Sequence, residues 1–391
     1  MRILKNEMKK VWNPVMLVLV AVICALFYLM FMEFYIKNFP NGHPTTEEYD
    51  YSVELTGKYG ATLEDDEFRE FIKVKDSLIL EANDYIKGNP EFAAAGILSY
   101  EDYLKLAEKD MTWTDEETEA FDFLYSGKCH GIAYKLDRLS YIESAYQNEA
   151  RRYENRISET GSAKEKARLN EIIETGQYHS ILDIFLIENT NTYISWFSVL
   201  AILSVLIFLS PLLVRDRMQG IYLLQYTSRR GRKVLFSQLG AILISAFLLT
   251  TLEIAVFGAI YAAKGIQVFW NNGMDSFLGS YTFRFFITYG QYVLYSAGMI
   301  YLCTIGAALL AFALSKLSRN YITLILKLIP VFILLAKLCL SLFNVSFSFR
   351  NPLYGITGID GIEPFAGCAV IAVGLILSLL VCAREKKADI R

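Results

Sequence analysis

Six long apolar stretches divide this chain into flanks of opposite charge, and that alternation limits its fold more than any other feature. The stretches cover residues 14–36, 193–214, 234–263, 285–315, 321–343 and 365–383. A hydrocarbon layer about 30 Å thick is crossed by about 20 residues of helix, so each is long enough to span. The short flanks at 1–12, 215–233, 316–320 and after 383 carry four, six, two and four Lys or Arg, whereas 264–284 and 344–364 carry two and one. Basic flanks are retained in the cytoplasm. The pattern therefore predicts an all-α polytopic membrane protein with six transmembrane helices and both termini inside (N-in/C-in). The even number of spans agrees with that.

The segment 37–190, between the first two spans, is different in kind. It holds 17 Lys and Arg against 32 Asp and Glu, a net charge of −15, while the rest of the chain sums to +12. The overall charge of −3 hides two environments. Topology places the acidic segment outside the cell. Its opening run, 38–44, is rich in Pro, Asn and Gly and breaks structure. Helical periodicity follows in Phe68, Phe71, Ile72, Lys75 and Ile79. Thr114 and Glu117 have the spacing of a capping box. Residues 132–157 read as one long amphipathic helix, and 165–184 as a helix returning after the 159–162 turn. A mostly helical extracellular domain with an antiparallel hairpin is expected.

Residues 1–12 carry Arg2, Lys5, Lys9 and Lys10 beside Ile3, Leu4, Met8, Val11 and Trp12, the pattern of a short interfacial helix. A plain basic flank accounts for the same residues. Five of the six cysteines fall in or beside apolar spans, where a thiol acts as a small hydrophobe. Cys129 is alone in the insert, so that domain has no internal disulfide. This fits a bacterial outer surface better than a secreted eukaryotic one.

Sequence motifs for chemistry are missing. There is no P-loop, no Gly-x-Ser-x-Gly and no His-Glu-x-x-His. His43, His130 and His179 are far apart, and adjacent Cys129 and His130 are too few for a metal site. A non-catalytic membrane subunit without metal or cofactor of its own is expected, with no sign of nucleic-acid binding.

The most informative local pattern lies between the second and third spans. An acid, Asp216, precedes Gly220 by four residues. The apolar Ile221, Tyr222, Leu223, Leu224 and Tyr226 follow, then Thr227, Ser228, Arg229, Arg230 and finally Lys233 at the start of the next span. This segment resembles the corresponding loop of ABC-2 type exporter permeases, with Asp216 where that family usually has Glu. The resemblance covers the membrane part and not the large insert. It implies a coupling helix that docks on a separate ABC ATPase, which would bind the ATP and Mg. It also implies a second permease, identical or homologous, and re-entrant half-helices in the loop 344–364. Taken alone, a basic loop that enforces topology and touches lipid phosphates explains the same composition, and an ordinary external loop explains 344–364.

Glu253, Lys327 and Lys337 lie within spans. Ionisable residues there mark functional paths by default, although lysines near span ends also snorkel to the interface. Together these readings predict the permease subunit of an exporter in a bacterial cell membrane. The acidic outer domain favours a cationic cargo such as an antimicrobial peptide. The competing reading is a membrane sensor or scaffold, whose outer domain binds a ligand and whose Arg-rich loop recruits a cytosolic partner.

Overall fold

The computed structural model describes residues 2–42, 45–109, 112–126, 130–227 and 231–387. Among them no strand forms, only isolated bridges between loop segments. Six helices are long and apolar enough to cross a membrane: Pro14–Phe31, Ile184–Met218, Val234–Ala262, Tyr289–Leu317, Tyr321–Leu342 and Ile362–Lys386. The chain is a multi-pass membrane protein.

Local chemistry sets most span boundaries. Asn13 caps the first span by accepting from Val15 N, with Pro14 opening the helix. Thr288 and Gln291 form a capping box at the fourth, and Asn320 and Thr323 another at the fifth. The second span differs most from its apolar pattern. It starts at Ile184, capped by Asp183, rather than near residue 193. The added turns carry Asn189, Thr190 and Asn191, which hydropathy alone excludes. They are buried because they are paired. Thr190 Oγ1 lies 2.9 Å from Tyr261 Oη and 2.8 Å from Tyr289 Oη, and Tyr261 donates to Asn189. Asn191 accepts from Tyr292.

The second span is the central post, with 83% of its apolar window buried, and the fourth follows with 67%. The first and fifth lie at the periphery, with 6% and 17%. Against a lipid solvent, helix association rests on close packing more than on apolar burial. The fourth and sixth spans achieve this through glycine. A Cβ on Gly374 would fall 2.7 Å from Leu309 Cβ and 3.0 Å from the Gly306 carbonyl. One on Gly306 would fall 2.6 Å from Val370. Gly298, in the same fourth span, has open space around it.

The segment between the first two spans is helical, in agreement with its periodicity. The helical periodicity from Phe68 to Ile79 falls in one helix, Asp65–Gly88, and Thr114 and Glu117 exchange both capping hydrogen bonds. The long helix expected over 132–157 is instead two, His130–Gln147 and Glu149–Glu159, broken at Asn148. The returning helix stops at Thr175, because Gly176 takes a left-handed conformation (φ 67°) that ends it. A turn over 176–178 follows, and residues 179–183 lead without helix into the second span.

This domain is bolted to the two loops on its own side of the molecule. Buried Arg168 pairs with buried Asp275 at 2.7 Å and donates to the Phe283 carbonyl. Arg138 pairs with Asp183, the cap of the second span. Arg284 pairs with buried Glu363 at the foot of the sixth span. Glu363 also accepts from the Phe347 amide, at 2.8 Å, holding that residue left-handed (φ 64°). The loop 344–361 contains one short helix, Pro352–Thr357, capped by Asn351. Residues 264–284, a plain flank in sequence, form a buried layer under the domain.

At the Asn148 break, Glu149 is 5% exposed and its Oε1 lies 3.4 Å from His179 Nδ1. Burial pushes its carboxyl up to about 8, opposed by the Arg152 guanidinium and aided by Asp65. The folded state thus holds a proton that the unfolded chain has released. The stability this contributes is complete below the ordinary carboxylate range and gone once pH has risen through about 8. We predict that melting of the detergent-solubilised protein falls from pH 6 to pH 8.5, by up to about 1.4 kcal/mol per pH unit. In Glu149→Gln that slope flattens. We also predict that Gly374→Val costs about 1–3 kcal/mol by overpacking, whereas Gly298→Val stays within about 0.5 kcal/mol of wild type by the same melting assay.

Candidate functional site

The loop between the second and third spans is built on a kink. The second span breaks at Ser210 and Pro211, then continues to Met218. Gly220 adopts φ 70°, a left-handed conformation that reverses the chain with little strain only in glycine. A two-turn helix, Ile221–Thr227, follows, then a 3₁₀ turn at Gly231–Lys233 that leads into the third span.

Asp216 anchors this arrangement. It is 2% exposed, and its Oδ2 accepts from Lys10 Nζ, Gln225 Nε2 and Gln238 Nε2, each at 3.1 Å. Those partners come from the leading helix Arg2–Val11, from the loop helix and from the third span. Glu7, 5% exposed, closes the cluster: it accepts from Lys10 at 2.9 Å and from Gln238 at 3.3 Å. The leading helix is therefore packed into the protein on one face, with Lys5 and Lys9 exposed on the other. Trp12 completes the seam by donating to Ser245 of the third span at 3.0 Å.

The arginines flanking Asp216 also face inward. Arg215 donates to the Lys10 carbonyl, and Arg217 to the carbonyls of Lys316 and Ser318. Lys316 and Arg217 both approach Glu385 near the end of the sixth span. Basic residues expected to steer a partner or touch lipid here tie four segments of this chain together.

The apolar loop residues divide into two groups. Ile221 and Tyr222 are half-buried, while Leu223 and Leu224 are 38% and 73% exposed. Tyr226 is helical in backbone. Arg229 and Arg230 lie outside the described residues, as do Ser228 and Cys129. The loop thus has a buried polar base and an exposed apolar tip. Two leucines stand exposed on a clamped helix.

The three intramembrane charges are not brought together. Glu253 is 4% exposed and accepts from Cys24 Sγ at 3.6 Å; Cys24 in turn lies 3.5 Å from Ser204. That trio joins the first, second and third spans. Lys327 donates to the Leu317 carbonyl at 2.8 Å, reaching the turn before its own helix. Lys337 is exposed on the fifth span. Within a single chain they form no continuous path. Among the described residues no cluster of three or more metal-ligating side chains occurs.

Glu7, Gln225 and Gln238 did not stand out in the sequence, and Lys10 did so only as one of four basic residues in the leading flank. The available signal was a polar residue, Gln238, just inside an apolar stretch whose neighbours are Ser237 and Leu239. Its partner residue was not deducible. In comparisons with known proteins, the chain matches no family model, no curated protein and no solved structure.

We predict that Asp216→Ala lowers stability by about 3–5 kcal/mol, because it strands buried donors and a half-buried lysine. Leu224→Asp, at the exposed tip, changes it by about 0.5 kcal/mol or less. Thermal melting in detergent separates the two.

Proposed function

We propose that this chain is the transmembrane permease subunit of an ABC exporter in a bacterial cell membrane. In this reading both termini and the Asp216 cluster lie in the cytoplasm, and the acidic helical domain lies outside. The observation that carries it is the loop helix: exposed Leu223 and Leu224 stand on a base fixed by a buried carboxylate to three other segments. Such a helix transmits a push rather than absorbing it. A separate ATPase, holding ATP and Mg, would grip the two leucines. Closure of the ATPases would then tilt the leading helix and the second and third spans together through Asp216. The chain itself performs no hydrolysis. A second permease, identical or homologous, would complete the path, since Glu253, Lys327 and Lys337 do not define one within a single chain. The acidic domain favours a cationic cargo such as a peptide.

A second reading has its own support. The buried pair Arg168–Asp275 joins the outer domain to the loop that precedes the fourth span, and Arg284–Glu363 joins that loop to the start of the sixth. A ligand bound outside would move those spans, as a sensor requires.

One experiment separates the two. The tagged chain is purified gently from native membranes, its partners are identified and nucleotide hydrolysis is assayed. A stoichiometric P-loop subunit is expected, and Leu223→Asp with Leu224→Asp releases it without lowering the melting temperature. A chain isolated with a signalling partner and no hydrolysis overturns the exporter.

A further inference from the structure

Between the first, second and fifth spans, on the side of the leading helix, lies a cavity of about 540 Å³. Small-molecule sites typically measure about 300–1,000 Å³. Its walls are apolar, with Leu19 from the first span, Leu206 from the second and Phe332 from the fifth. One end is polar. Asn13, Arg215 and Tyr321 line it, and no acidic side chain does.

Arg215 is the informative group. One Nη donates to the Lys10 carbonyl at 2.8 Å. Among the described residues, nothing else engages the guanidinium. Its remaining donors therefore lie at the end of an apolar chamber without partners. A planar fork of this kind matches a phosphate, which accepts two parallel hydrogen bonds. A basic pocket between membrane helices, open to an apolar groove, is the geometry that selects anionic lipid headgroups. A helix from a second copy would fit the walls poorly at this end, because it would press apolar side chains on an unpaired charge.

We propose that this cavity binds one anionic phospholipid, with its phosphate at Arg215 and an acyl chain along Leu206 and Phe332. The site is independent of the exporter reading, since it needs only a membrane and this chain. It sits beside Asp216, so an occupied site would also brace the first span, which has few contacts of its own.

The test is native mass spectrometry of the full chain in neutral detergent, titrated with dioleoyl phosphatidylglycerol. Phosphatidylcholine with the same chains is the control, and soluble glycerol phosphate is the competitor. We expect one phosphatidylglycerol retained per chain, with phosphatidylcholine about ten-fold weaker. Arg215→Gln abolishes that preference, Arg215→Lys keeps part of it, and Leu206→Trp blocks both lipids by filling the groove. Equal binding of both lipids, or an unchanged preference in Arg215→Gln, overturns the proposal. Displacement by glycerol phosphate alone overturns the acyl-chain half. If Leu206→Trp instead dissociates a dimer and leaves lipid binding intact, the cavity is an interface between copies and the proposal fails. Melting curves confirm folding, and Leu206→Trp with Arg215→Lys carry the test if Arg215→Gln does not fold.

Discussion

The helix from Ile184 to Met218 is held at each end by a buried carboxylate, and the rest of the structure is arranged around it. At one end Asp183 caps the first turn and pairs with Arg138 of the large domain. At the other, Asp216 accepts from the leading helix, the loop helix and the third span. A carboxylate taken out of water is costly unless ion pairs and hydrogen bonds compensate it. Both of these are compensated by groups distant in sequence, so each works as a selective joint: only the correct assembly of several segments satisfies it. Between the joints runs the most buried helix of the molecule, against which the third, fourth and fifth spans pack.

Different forces act in the middle and at the ends. Along the spans, small residues permit backbone contact, as at Gly306, Gly367 and Gly374 between the fourth and sixth helices. Where the chain leaves the apolar layer, cohesion passes to charge. The pair Arg168–Asp275 fastens the large polar domain to the loop before the fourth span, and Arg284–Glu363 fastens that loop to the start of the sixth. On the opposite side, Arg217, Lys316 and Glu385 link the second, fourth and sixth. A movement imposed on the loop helix therefore has rigid routes to most of the spans. The first span is the exception. It is held mainly by its aromatic contact with Trp196 and by the Cys24–Glu253–Ser204 trio.

The fold's coarse plan was legible because two signals are local. Runs of apolar residues identify spans without knowledge of any neighbour, and capping pairs such as Thr114 with Glu117 announce helix starts. The polar start of the second span was not legible. Asn189, Thr190 and Asn191 look like solvent-facing residues until Tyr261, Tyr289 and Tyr292 are placed against them. The same holds for the candidate site. Asp216 and Gly220 stood out by spacing, and Gly220 does take the backbone conformation that only glycine adopts freely. That Asp216 faces inward, and that Lys10 and Gln238 meet it, depends on partners 206 and 22 residues away.

By itself, the sequence determined that six helices form, where the polar domain is inserted and which side of each span is basic. These follow from hydrophobicity, helix periodicity and net charge, properties that each segment carries alone. Tertiary structure decided which charges are buried, which leucines remain exposed and where a cavity is left between spans. Those outcomes depend on which segments meet: a carboxylate such as Asp216 becomes a joint, and an arginine such as Arg215 keeps only one partner among the described residues, the Lys10 carbonyl, through the neighbours that packing brings or withholds.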